Sequence, residues 1–419
     1  MKKKHWMSLL FLGFAGQLAW AVENQFFNTF MFDRIIPQPF YISMMVAASA
    51  VTATVTSIVM GAYSDRLGKR KPFLLFGYLI WGVSIWVVPM AEFIRVPVAA
   101  AWTLIVLDSV MTFFGSTAFD ANYNAYLTDI TDTGNRGKAQ GIFTLSLWLA
   151  MLVVYGSSGP LIEAWGYFAF FFVVGALVFG FGLAGGLMVD SAMTIPSGGG
   201  GTLARIKETF GGGFIRENRD FFLVLLGISL WGMAFNIFFP FLLIYLKHFL
   251  RIPMEESTLL IFIAILGGGL LASLPGGMLT DRLGRKRVSI IAVFIEAGAL
   301  FSFAFAREFA MLAVCSVAWI GAQTLWTIAS GAWSKDYYPD DRRGEFSGYM
   351  TLFFVAFTMI PGPILGSLVI ERFGIRALID GKEGIIPTPE IFFAAAGMIL
   401  LTLVPVLMAR DRSRIGDAP

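Results

Sequence analysis

Twelve stretches of about 20 mostly apolar residues follow one another along this chain, and no other feature narrows its fold so far. A run of that length crosses the hydrocarbon core of a bilayer as a helix, because lipid offers backbone N–H and C=O groups no partner except each other. The runs cover about 7–31, 40–62, 72–93, 98–122, 139–162, 166–189, 221–246, 257–279, 288–306, 309–333, 346–369 and 390–409. Hydrophobic residues make up 57% of the 419 and charged residues 14%, too little charge to coat a soluble protein of this size. Lys2 to Lys4 and Ala19-Trp20-Ala21 imitate a secretory signal. We read the stretch as helix 1 instead, since cleavage would remove a helix that has a counterpart in the second half. With one cysteine, Cys315, and two histidines, His5 and His248, an intramolecular disulfide and a Cys or His metal cluster are excluded, and no cofactor is expected.

The chain carries an internal repeat. Asp65-Arg66-Leu67-Gly68-Lys69-Arg70-Lys71 returns as Asp281-Arg282-Leu283-Gly284-Arg285-Lys286-Arg287, each copy preceded at the same offset by a glycine, Gly61 and Gly277. Arg136-Gly137 and Gly141 return as Arg343-Gly344 and Gly348, and Gly159-Pro160-Leu161-Ile162 has its counterpart in Gly362-Pro363-Ile364-Leu365. Preserved order with drifting offsets is the mark of a duplication. The expected architecture is an all-α integral membrane protein with twelve transmembrane helices in two pseudo-symmetric six-helix bundles, residues 1–190 and 220–419. A glycine-rich cytoplasmic linker, 191–219, joins them, with a short surface helix at 202–210. With the N-terminus inside, cytoplasmic segments hold 23 of the 31 lysines and arginines. That asymmetry puts both termini in the cytoplasm and the protein in the cytoplasmic (inner) membrane.

A G-x-x-x-D-R-x-G-[KR]-[KR]-[KR] loop after helix 2, repeated after helix 8, resembles the signature of the major facilitator superfamily. The resemblance implies two bundles rocking about a central substrate site lined by helices 1, 4, 7 and 10. It also implies a charge network in the loops, here Asp65, Arg66 and Lys69 with Asp281, Arg282 and Arg285, around Gly61, Gly68, Gly277 and Gly284, with Arg136 and Arg343 in the loops that follow. Pro72-Phe73-Leu74-Leu75 and Asp120-Ala121-Asn122-Tyr123-Asn124 are similar to the glycoside–pentoside–hexuronide cation symporters and the sucrose-type carriers. Melibiose-type members of that group use helix-2 carboxylates for sodium. Helix 2 here reads Ala53-Thr54-Val55-Thr56-Ser57 and has none, so a proton is the expected coupling ion rather than sodium.

An ionisable group in hydrocarbon demands a reason. Glu23 in helix 1, Asp108 in mid-helix 4, Asp120 toward the cytoplasmic end of helix 4 and Glu296 in helix 9 are the carboxyls of that kind. Burial penalises a charged carboxyl, so such a group can load a proton from one side and release it on the other. The alternative role is a neutral hydrogen-bond donor between helices. Lysines and arginines stay near helix ends, where they snorkel, and a site without a cation favours a neutral or cationic solute over an anion. Gln17, Trp20, Asn24 and Asn28 recur at three- and four-residue steps on helix 1, with Glu23 on the shoulder of that stripe. Gln323 and Trp326 recur on helix 10 with Trp319, Thr327 and Ser330. Asn236 on helix 7, with Trp148 and Tyr155 on helix 5, completes the set. Amides beside aromatic faces suit sugar hydroxyls and the apolar side of a pyranose, whereas structural roles would be interhelical glue and interface anchoring. Gly180-Phe181-Gly182-Leu183-Ala184-Gly185 fits a dinucleotide-binding pattern but lies inside an apolar helix with no preceding strand, so it is read as a packing surface.

The chain is therefore expected to be a secondary transporter and no enzyme. It is read as a monomer in the lipid bilayer, carrying a small-molecule substrate by proton-coupled symport of a sugar or similar neutral polar solute, with no nucleic-acid partner. Rival readings are a proton-coupled exporter of lipophilic or cationic compounds and a non-transporting sensor or assembly factor with the same fold.

Overall fold

The computed structural model describes residues 3–131, 136–190, 216–337 and 343–410. The side chains of Arg136 and Arg343, and the expected helix at 202–210, lie outside the described residues. Eleven described helices are long and apolar enough to cross a membrane, and one of them, Gly141–Met188, holds 48 residues. That length serves two crossings of about 20 residues each. The 53-residue run Arg136–Met188 is interrupted at one residue, Gly166, with φ 76° and ψ 176°. A side chain at that φ would be strained, so glycine makes the break possible. The two arms, α5 (residues 136–165) and α6 (residues 167–188), bring the count among the described residues to twelve helices.

The others are α1 (Lys3–Ile35), α2 (Pro39–Leu67), α3 (Lys71–Phe93), α4 (Pro97–Asp129), α7 (Arg219–Phe249), α8 (residues 254–283), α9 (Arg285–Phe305), α10 (Phe309–Lys335), α11 (residues 343–373) and α12 (Glu390–Met408). Several outrun the apolar stretches that announce them. Asp120 accordingly lies toward the C-terminal end of α4 with about two further turns beyond it. Prolines open α2, α3 and α4, where a missing N–H costs nothing, and Gly68 at φ 62° closes α2. Between α11 and α12 the chain forms a hairpin, β1 (Ile375–Ile379) and β2 (Lys382–Ile386). Its two-residue turn has Asp380 at φ 48° and Gly381 at φ 77°, the Asp-Gly turn that matches strand twist.

Contacts divide the chain into two compact units. Unit 1 holds the described residues of 1–199 together with 246–259 and 376–386, and unit 2 holds the rest. In unit 1, α1 is flanked by both arms of the broken helix. Gly13 lies against Ser146 and Phe26 meets Tyr155 on α5, while Leu12 lies at Gly185 and Phe30 meets Tyr167 on α6. Thus α5 runs with α1 and α6 runs against it. In unit 2, α7 packs on α11 and α12, and α9 packs on α10 and α12. Five wide, π-type turns interrupt the described helices: Glu23–Phe27, Met31–Ile35, Ser116–Tyr123, Tyr245–Phe249 and Ile265–Leu270. Such turns are frequent at functional sites.

The glycine run on α6 divides by environment. Gly180 faces open space, whereas a methyl at Gly182 would run into Tyr78, whose Cγ would stand 3.1 Å away. Tyr78 cannot yield easily, because it is fully buried and its hydroxyl donates to the Leu12 carbonyl at 2.7 Å. Gly182→Ala should cost about 1–3 kcal/mol by overpacking. Gly180→Ala should be neutral or gain up to about 1 kcal/mol of helix propensity. Thermal unfolding of the two variants in one detergent checks the order.

Candidate functional site

The repeated loops build two networks of ions. In the first, Arg70 reaches Asp65 at 2.5 Å, Asp129 at the end of α4 at 3.1 Å, and the Ser64 hydroxyl at 2.5 Å. Arg70 is buried, while Arg66 and Lys69 are exposed. The base that engages Asp65 is therefore Arg70, while Arg66 and Lys69 form no ion pair among the described residues. In the second loop Arg285 pairs with Asp336 at the end of α10 and donates to the Ala332 carbonyl at 3.3 Å. Asp281 and Arg282 are exposed. Asp129 and Asp336 stand 207 residues apart, the same spacing as Arg136 and Arg343, so they belong to the duplication. Lys71 donates to the Leu187 carbonyl at the end of α6, and Lys286 to the Leu407 and Ala409 carbonyls at the end of α12.

Glu23 and Asp108 come together inside unit 1. Glu23 opens a wide turn of α1 and is 7% exposed, and Asp108 on α4 is 1% exposed. The two are electrostatic neighbours, and no described lysine or arginine pairs with either. Oε1 of Glu23 accepts from Ser49 on α2 at 2.5 Å and from Thr112 on α4 at 3.1 Å, and those two hydroxyls are 2.9 Å apart. The triangle has three edges, and its two hydroxyls own two hydrogens. All three edges are hydrogen bonds at once only when the carboxyl brings a proton of its own. Oε2 of Glu23 and Oδ1 of Asp108 have no hydrogen-bond partner. Asp120 lies about three turns further along α4, inside the wide turn Ser116–Tyr123 and beside Ser116 and Trp20, and Trp20 packs on Trp81 with ring centres 4.8 Å apart. Glu296 is fully buried with neither oxygen partnered, and no hydroxyl serves it as Ser49 serves Glu23.

Gln17, Trp20 and Asn24 share a half-exposed face of α1, whereas Asn28, expected to continue the stripe, is fully buried and donates to the Asn24 carbonyl at 2.8 Å. The Asn24 amide, however, donates to the Trp20 carbonyl at 2.8 Å. In unit 2, Trp231 on α7 stacks on Trp326 of α10, centres 4.3 Å apart and planes 3° from parallel, and its Nε1 donates to Gln323 Oε1 at 2.9 Å. An indole N–H only donates, so the Gln323 carbonyl must face Trp231 and its NH2 group is left for another acceptor. Asn236 turns back on its own helix, donating to the Gly232 carbonyl at 2.8 Å. Tyr155 is buried against Phe26, and Trp148 is half-buried with Nε1 unpartnered. The candidates thus gather into Glu23–Asp108, Trp20–Asp120 and Gln323–Trp326. Ser49, Thr112, Trp231 and Arg70 join them from outside the expected set.

The loop chemistry separates by substitution. Arg70→Ala should lower stability by about 1–3 kcal/mol, the worth of hydrogen bonds to charged groups discounted for the partly exposed aspartates. Arg66→Ala and Lys69→Ala should stay within about 0.5 kcal/mol, and thermal unfolding in detergent reads the difference.

A sequence model of the Major Facilitator Superfamily matches residues 6–271 and again 224–418. Over 301 residues, 70% of each chain, the sequence is 25% identical to sugar efflux transporter A of Dickeya chrysanthemi. The fold is similar to that of a bacterial homologue of the lysosomal transporter Spinster in an inward-facing, unoccupied conformation. The TM-score is 0.72 at 14% identity, covering 100% of this chain and 99% of that one. It is also similar to the D-xylose–proton symporter (TM-score 0.72, 14% identity, 96% and 98% covered) and to the nucleoside transporter NupG (0.69, 15%, 98% and 99%). With twelve helices, a duplicated charged loop and a family match across both halves, this chain belongs to the major facilitator superfamily and is a secondary transporter, not an enzyme.

Proposed function

We propose that the protein carries a sugar or a similar neutral polar solute by alternating access, coupled to protons through Glu23. The halves 1–190 and 220–419 would move about the linker 191–219, in a cytoplasmic membrane with both termini inside, a topology supported by the lysine and arginine bias. The observation that carries the coupling is the triangle of Glu23, Ser49 and Thr112. It closes when Glu23 holds a proton and opens when the proton leaves, so loading and unloading are written into one hydrogen-bond ring. Asp108, buried close by without a cation, is the second carboxyl of the pair. A neutral solute is supported by the lack of any described lysine or arginine paired to these groups. The Trp231–Trp326 stack with the Gln323 amide offers an apolar face and a fixed donor, the chemistry a sugar uses.

Symport and export differ in the sign of the driving gradient. The sugar efflux relative supports export, whereas the sequence alone pointed to symport. In proteoliposomes, labelled sugar accumulates with an acid exterior for symport and with an acid lumen for antiport. If no sugar accumulates under either gradient while a cationic dye is expelled, the solute is lipophilic or cationic and the sugar reading fails.

Glu23→Gln should abolish gradient-driven accumulation under both signs and leave sugar counterflow measurable, and uphill uptake at the wild-type rate would remove Glu23 from the mechanism. Ser49→Ala should displace the pH profile of uptake while counterflow continues. Trp231→Phe keeps the stack and frees the Gln323 carbonyl. It should raise half-saturation about five- to tenfold with little change in maximal rate, the signature of one lost positioning hydrogen bond.

A further inference from the structure

At the end of α1 away from the Arg70 network, charged side chains line a cavity of about 660 Å³. All of its lining belongs to unit 1, and most of its charges are already matched. Asp33 lies in the last wide turn of α1, and its side chain is 5% exposed. Oδ2 accepts from the Tyr167 hydroxyl of α6 at 2.7 Å and from Lys247 at 2.5 Å, and Oδ1 accepts from His248 Nε2 at 2.8 Å. An ionised carboxylate only accepts, so all three partners donate to it and its charge is met. Arg34, beside it on α1, pairs with Glu92 at the end of α3. Glu163 accepts from the Glu255 backbone N–H at 3.0 Å, at the start of α8, where a helix favours negative charge.

Two charges of the lining, one of each sign, are left over. The side chains of Arg251 and Asp380 form no ion pair or hydrogen bond among the described residues, either with each other or with a neighbour. Asp380 lies in the field of Arg34, whose guanidinium is already given to Glu92. The same two are the non-glycine residues at positive φ among the described residues, 58° at Arg251 and 48° at Asp380. Asp380 is at ease there, because an Asp-Gly hairpin turn asks for that conformation. Arg251 is not. α7 ends in the wide turn Tyr245–Phe249, and the Ile252 N–H closes that end on the Leu246 carbonyl at 3.0 Å with Arg251 just before it. Glycine is the usual residue in the left-handed position that ends a helix, since a Cβ is strained there. An arginine held in a glycine's place is accounted for by its guanidinium.

The lining is built from helix ends, those of α1, α3 and α7, the start of α8 and the break at Gly166. Trp165 in that lining is 69% exposed and Phe168 is 40% exposed, and Phe168 packs on Phe93 with ring centres 5.3 Å apart. Exposed aromatic side chains at helix ends mark the headgroup level of a bilayer. The Asp380 side of the cavity is fixed in place as well. Lys382 donates to the Arg34 and Ile35 carbonyls at 2.8 and 3.0 Å, and the Ile385 N–H to the Pro37 carbonyl at 3.0 Å, so the hairpin holds its aspartate against the end of α1.

We propose that this cavity binds the headgroup of a zwitterionic phospholipid, with its phosphate on Arg251, its ammonium on Asp380 and its acyl chains along Trp165 and Phe168. A guanidinium meets a phosphate through two parallel N–H bonds, and a primary ammonium donates to a carboxylate. An anion alone would leave Asp380 unmatched, and a cation alone would leave Arg251 unmatched. A quaternary ammonium has no N–H to donate, so the site selects an ethanolamine headgroup over a choline one.

Lipid binding is read without transport, so the test stands or falls apart from the sugar reading. The purified full-length protein is given equal amounts of phosphatidylethanolamine, phosphatidylcholine and phosphatidylglycerol with the same acyl chains, and bound lipid is counted by native mass spectrometry. The ethanolamine lipid should be retained about fivefold over the other two, the worth of one hydrogen bond to a charged group. Arg251→Gly should cut that retention about tenfold, the loss of a bidentate contact. Its unfolding temperature without lipid should hold or rise, because glycine suits a φ of 58°. Asp380→Asn keeps the turn and should bind the three lipids alike. Arg95→Gly, at an exposed arginine outside the cavity, should behave as the wild type. No ethanolamine preference in the wild type, or a preference that survives Arg251→Gly or Asp380→Asn, overturns the proposal. Glycerophosphoethanolamine, the same headgroup without chains, should not displace the lipid even in large excess. Displacement by it would assign the two charges to a soluble zwitterion and overturn the lipid. If Arg251→Gly does not fold, Arg251→Asn, which also tolerates that φ, decides by the same loss of retention.

Discussion

Inside a bilayer a polar atom has no water to turn to, and the structure follows from how each such atom is satisfied. The backbone solves the problem by being helical almost throughout. Hydroxyls on the spans mostly return to their own helix, as Thr54 does to the Ala50 carbonyl and Ser57 to the Ala53 carbonyl. Ser49 and Thr112 break that habit and spend their hydrogens on Glu23. Carboxyls cannot be served locally, and Glu23, Asp33 and Asp120 all lie in wide turns, where the regular ladder is already disturbed. A helix that must carry a charge across hydrocarbon gives up some regularity to do so.

Much of this was legible in the sequence because length and repetition are properties of the chain itself. Apolar runs of span length force helices, and the recurrence of Asp65 to Lys71 at Asp281 to Arg287 places two loops in equivalent settings. What escaped was pairing. Arg66, Lys69 and Arg70 are chemically alike in a list of residues, and only the close of α2 at Gly68 decides which of them turns inward toward Asp65. Ser49 and Thr112 look like any other small hydroxyls in apolar helices, and Trp231 is one of 11 tryptophans. Asp33 gives no local sign at all, since its partners are 134, 214 and 215 residues away. Two misses carried a readable signal. Asp129 and Asp336 keep the spacing of the arginines that follow them, and Asp380-Gly381 between short apolar runs is a hairpin turn.

Glu23 and Asp33 stand ten residues apart on one helix and solve opposite problems. Glu23 sits among hydroxyls that can donate or accept, so either charge state finds partners. Asp33 sits among groups that only donate to it, so its surroundings hold together in one charge state and lose bonds in the other. A carboxyl that is to exchange its proton repeatedly needs the first environment, and a carboxyl that is to stay ionised needs the second. The amides follow the same distinction. Gln323 is oriented by a partner that permits one orientation, while Asn236, expected to offer its amide from α7, turns to its own backbone.

Gly166 carries a consequence for how the chain is made. A single residue separates α5 from α6, and the two run in opposite directions beside α1. No polar loop stands between them to be carried across the bilayer first. The pair must enter the membrane as one helical hairpin, and α5 cannot settle on α1 during synthesis until α6 has followed it. The first half of the chain therefore reaches its final packing only after the ribosome has passed Met188.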